Sequence, residues 1–133
     1  MNLLRSSRTI LALNGIIMIF IGIIFFIYPE KLTIIMFPKI VSHPEALEVG
    51  VVLRYLMGAG HLTIGIILYL ARISIKSGAQ RLLLGSGIWF MIIFATAVFI
   101  IIKYKANIPI LALSIYPLLA ILSLYVATRK FQE

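Results

Sequence analysis

The stretch TILALNGIIMIFIGIIFFIYP, residues 9–29, decides the fold. It contains no charged side chain from end to end. A helix rises about 1.5 Å per residue, so this run covers about 30 Å, the thickness of a bilayer's hydrocarbon layer. Three more such runs follow. The second has a charge-free centre at residues 55–71 that extends upstream to Val49. The third and fourth occupy residues 82–102 and 106–128.

The whole chain of 133 residues is 62% hydrophobic and only 12% charged. A soluble domain averages about 45–50% apolar and about 25% charged. Lipid is the solvent that fits this composition. The expected fold is therefore an all-α membrane protein, a single transmembrane domain of four helices near residues 8–28, 43–72, 81–103 and 107–128. Short connections after the second and third spans make sequential helices antiparallel neighbours, in an up-down-up-down bundle.

Residues 30–41 are too short to span and lie between prolines, so they are expected at the membrane interface. Ser42-His43-Pro44-Glu45 reads as a capping box opening the second span. Arg5 and Arg8 precede the first run. That run is longer than a signal-peptide core, and Phe25 to Pro29 offers no small-residue cleavage site, so the first helix is expected to be retained.

Basic residues set the expected orientation. Arg5, Arg8, Arg72, Lys76, Arg81, Arg129 and Lys130 fall on one side, and Lys31, Lys39, Lys103 and Lys105 on the other. This bias places both termini in the cytoplasm. The net charge of +8 sits at the ends of apolar runs, as topology signals do, and does not point to nucleic acid.

Few residues can carry chemistry. The chain has no cysteine, which removes thiolate nucleophiles, iron–sulfur ligation and most structural zinc sites. Its carboxylate side chains are Glu30, Glu45, Glu48 and Glu133, and its histidines are His43 and His61. No phosphate-binding loop, zinc-protease motif or nucleophile elbow occurs. No catalytic residue and no metal site are expected.

The second span holds the most specific pattern. At about 100° per residue, Gly50, Arg54, Gly58, His61 and Gly65 fall on one stripe, and Val52, Leu56, Ile67 and Leu70 on the opposite face. Glycine with polar residues on one face marks a surface turned toward protein in lipid. Arg54 reads either as an anchor, paired with Glu45, Glu48 or Glu30, or as a cation for an anionic lipid head or ligand carboxylate. His61 reads as a core imidazole hydrogen-bonded to Asn14, Thr96 or Ser114, with a functional ligand contact as the sharper alternative. A haem or quinone has no further support. His43 lies several helical turns upstream on the same helix, so an axial pair would need His61 from two copies.

Other faces read as packing surfaces. Asn14 with Gly15 and Gly22 marks the first span, and Asn14 is a tentative ligand contact beside Arg54 and His61. Gly85, Trp89 and Thr96 align in the third span. Asn107, Ser114 and Tyr125 align in the fourth, with Pro109 and Pro117 as bends.

Tyr28-Pro29-Glu30 followed by Arg54, Gly58 and Gly65 resembles small bacterial four-helix membrane proteins, including DoxX-like ones. That group is linked to membrane oxidoreductase systems as accessory components, so the resemblance implies an accessory role. His61 lies outside the pattern. Small multidrug transporters carry a membrane-embedded glutamate in the first helix, where this chain has Asn14. The leading expectation is a non-catalytic accessory or assembly subunit, docked in the bilayer on other membrane subunits or on itself. The alternative is a membrane-embedded binding module for a lipid, quinone or other amphiphile through the Arg54/His61 face.

Overall fold

The computed structural model describes residues 6–128. Arg5, Arg129, Lys130 and Glu133 lie outside the described residues. The described chain is all-helical. It forms α1 (Ser7–Ile27), α2 (Pro29–Met36), a 3₁₀ turn (Pro38–Ser42), α3 (Pro44–Ala71), α4 (Lys76–Tyr104) and α5 (Ile110–Thr128). Four of these, α1, α3, α4 and α5, are long and apolar enough to cross a membrane.

Prolines punctuate the first half. Proline disfavours helical backbone in the residue before it but suits the first helical position. Tyr28, Phe37 and His43 each leave the helical region, and Pro29, Pro38 and Pro44 each open the next element. The expected capping box is not formed. The helix starts at Pro44, so His43 occupies the cap position and Ser42 lies one residue outside it. The Ser42 hydroxyl instead donates to the Lys39 carbonyl at 2.8 Å.

Two boundaries differ from the sequence reading. Helix α4 begins at Lys76 rather than near 81. A helix can carry Arg81 in its second turn while its long side chain reaches the headgroups. Helix α5 begins at Ile110 rather than 107. Pro109 disfavours helical backbone at Ile108, and its carbonyl accepts the Leu113 N–H at 3.0 Å. Pro109 is thus a helix start, and Pro117 is the proline inside α5. Helix α4 stops at Lys105, whose φ of 54° turns the chain away from the helical path. A left-handed residue is a common way to end a helix.

The helices pack as two intimate pairs, α1 with α3 and α4 with α5, and α1 also touches α4 and α5. Between α1 and α3 the approach is set by glycine. A Cβ on Gly15 would lie 2.7 Å from the Gly65 carbonyl oxygen, and one on Gly65 would lie 2.8 Å from the Gly15 carbonyl oxygen. Further along, Gly22 and Gly58 oppose each other in the same way, with Cβ-to-carbonyl distances of 2.9 and 3.1 Å. Contact positions rise along α1 as they fall along α3, so these two helices run in opposite directions. Small residues let backbones touch, and dispersion between them replaces the hydrophobic drive that lipid cannot provide.

The core runs through Leu11, Met18, Leu68, Leu83, Phe90 and Leu119. Outward faces carry large apolar side chains, as lipid contact requires.

Candidate functional site

Helix α3 projects Arg54 and His61 from one buried face. They stand about 10 Å apart along its axis by helix rise. Gly58 and Gly65 flank His61 on that face and draw α1 in. The close approach brings the Phe25 ring to 5.2 Å from the His61 ring and 5.8 Å from the Arg54 guanidinium carbon.

His61 is buried, and both its ring nitrogens have partners. Nδ1 lies 2.7 Å from the Met57 carbonyl oxygen, one turn back. A carbonyl only accepts, so Nδ1 carries the proton and donates. The neutral ring then leaves Nε2 as an acceptor, and the Tyr116 hydroxyl of α5 donates to it at 2.9 Å. Trp89 of α4 closes the ring edge-on at 5.7 Å. This imidazole joins α3 to α5 within an aromatic cage. It offers no free nitrogen to a metal or haem iron, and no cluster of three ligating side chains exists among the described residues.

His61 therefore pairs with Tyr116, and not with Asn14, Thr96 or Ser114. Thr96 and Ser114 bond the carbonyls of Ile92 and Leu111 in their own helices at 2.8 and 2.9 Å. Asn14 is fully buried. Its Nδ2 donates to Ser123 Oγ of α5 at 2.7 Å, while its Oδ1 has no partner. Reversing the amide would exchange which end is unmet without removing the deficit.

Arg54 is 7% exposed. Its guanidinium donates to Met36 Sδ at 2.7 Å and to Met57 Sδ at 3.6 Å. The expected pairing with Glu30, Glu45 or Glu48 is not made. Glu30 and Glu45 are exposed at the surface, and no ion pair to Arg54 forms among the described residues. Thr33 of α2 packs on Gly50, so α2 lies across the start of α3 above Arg54. The Met36 carbonyl accepts the Asn107 N–H at 2.9 Å, tying α2 to the α4–α5 connection.

Two depressions open on the described surface. One of about 550 Å³ lies between α2 and α3, lined by Tyr28, Lys31 and Tyr55 among others. One of about 260 Å³ lies between α3 and α4, lined by Leu68, Arg81 and Trp89 among others. Neither is lined by Arg54 or His61.

Gly85 needs correcting as a packing glycine. It faces open space, and a Cβ there would meet nothing within 4 Å. The glycine that α4 turns to α5 is Gly87, where a Cβ would lie 2.8 Å from Leu124 Cγ. Likewise α5 turns Tyr116 and Ser123 inward, and Tyr125 is exposed. Tyr116 and Ser123 are seven residues apart with Leu119, Ala120 and Val126 on the same side. That is a heptad-like stripe that sequence alone could have flagged.

Comparison with protein-family models, with curated proteins and with solved structures yields no match.

Proposed function

We propose that this protein is a non-catalytic membrane subunit that docks on another membrane protein through the outward face of α3, with both termini in the cytoplasm. The observation that carries this reading is a notch at mid-span. Ala59, Gly60 and Thr63 are exposed there, between Leu56 and Ile67. A Cβ on Gly60 would meet nothing within 4 Å. Thr63 satisfies its hydroxyl on the Ala59 carbonyl at 2.9 Å.

Large side chains gain nothing over lipid by leaving it, but small residues let a partner helix come close. A small-residue notch facing away from the bundle therefore suits a second helix better than it suits acyl chains. The interior adds support, because His61 bonds Tyr116 and its own backbone, and Asn14 Nδ2 bonds Ser123, all within the bundle. The resemblance to DoxX-like accessory proteins agrees with this role.

The test is mild purification of the native protein and of Gly60→Leu. Leucine fills the notch without touching the bundle. A defined partner, or a second copy of the chain, retained by the native protein and lost by the variant supports the reading. Equal retention by both, or a lone chain in both, contradicts it.

A further inference from the structure

Arg54 is a buried positive charge that no described residue neutralises. Arginine keeps its proton in proteins and offers five N–H donors. Here two thioether sulfurs and the face of Phe25 receive them. Thioether sulfur is a weak acceptor, and a buried charge is costly unless paired. The guanidinium is thus desolvated and under-bonded, a fork of donors with capacity left for an anion.

Depth selects the anion. Helix α3 has 28 residues. That is about 42 Å by helix rise, against about 30 Å of hydrocarbon. The interfacial α2 and the 3₁₀ turn sit at its N-terminal end, so much of the excess length lies there. Arg54 is about 15 Å along the helix from Pro44, which puts its guanidinium close to the headgroup boundary. Lys31, Lys39, Lys103 and Lys105 share this end of the bundle, against Glu30, Glu45 and Glu48. The lipid side is closed by Met57, which is itself 42% exposed. Methionine is unbranched and changes rotamer readily.

We propose that Arg54 receives the phosphate of a membrane phospholipid, admitted when Met57 and Met36 swing aside. The phosphate replaces two weak sulfur acceptors with a bidentate charge-assisted pair, the geometry the guanidinium fork is built for. The four lysines favour anionic over zwitterionic lipid. This site is independent of the α3 outward notch, since Arg54 lies on the opposite face.

Native mass spectrometry of the full chain, extracted from vesicles of phosphatidylglycerol and phosphatidylcholine, tests the proposal. The native protein should retain one phospholipid, enriched in phosphatidylglycerol. Arg54→Gln should retain about tenfold less or lower, the loss expected when charge-assisted hydrogen bonds are deleted. Met57→Phe leaves Arg54 in place and blocks the lipid side, so it should also lower retention and covers the case in which Arg54→Gln does not fold. Retention unchanged in a folded Arg54→Gln or in Met57→Phe overturns the proposal. So does displacement of the lipid by millimolar inorganic phosphate, which would assign the site to a small soluble anion, or a native protein that retains no lipid.

Discussion

The Tyr116 hydroxyl donates to His61 Nε2 at 2.9 Å, and this bond fastens the α1/α3 pair to the α4/α5 pair at mid-span. The Met57 carbonyl on Nδ1 fixes the tautomer that lets Nε2 accept this bond, in a histidine that sequence alone leaves open between structure and chemistry.

Tyr116→Phe keeps the ring and removes the donor. The Nε2 acceptor is then buried and unmet, with a loss of about 1 kcal/mol. Thermal unfolding in detergent should show a lower midpoint for this variant. Adding His61→Phe should recover part of the loss, because both partners are then apolar. Fully additive losses would contradict the pairing.

Gly15→Ala and Gly65→Ala each place a Cβ under 3.0 Å from the facing backbone. Each should destabilise the fold by about 1–3 kcal/mol, since backbone cannot yield as a flexible side chain can. Gly85→Ala adds its methyl to open space. It should be neutral or slightly stabilising, by up to about 1 kcal/mol from helix propensity. Unfolding midpoints of the three variants give the comparison.

Ser123→Ala removes the one partner of the Asn14 amide and leaves both of its ends unmet. A loss of about 1–2 kcal/mol is expected. Asn14→Leu together with Ser123→Ala should be less harmful than Ser123→Ala alone, because no polar group is then left stranded. The same unfolding midpoints decide the order.

The four spans and the α3 stripe are legible in the sequence because each rests on a strong contrast. Charges interrupt apolar runs, and Gly58, His61 and Gly65 stand out on an otherwise apolar helix. The inward faces of α4 and α5 are harder to pick out, since small and polar residues such as Gly85, Thr96 and Tyr125 also lie on their outer sides and dilute the contrast. Thr96 misleads for a physical reason. A helical threonine satisfies its hydroxyl on its own i−4 carbonyl, so it can face lipid at little cost. Gly85 misleads likewise, because a glycine reports absent bulk without reporting which neighbour needs it absent. The Arg54 environment is hidden in Met36, which α2 folds back over α3 from a distant point in the chain.

Site-specific photo-crosslinking in native membranes tests the docking reading most directly. A photoreactive residue at Gly60 or Thr63 should give a discrete protein adduct. The same residue at Leu118, exposed on α5, should give lipid adducts alone. Lipid adducts alone at all three positions would contradict partner docking through α3.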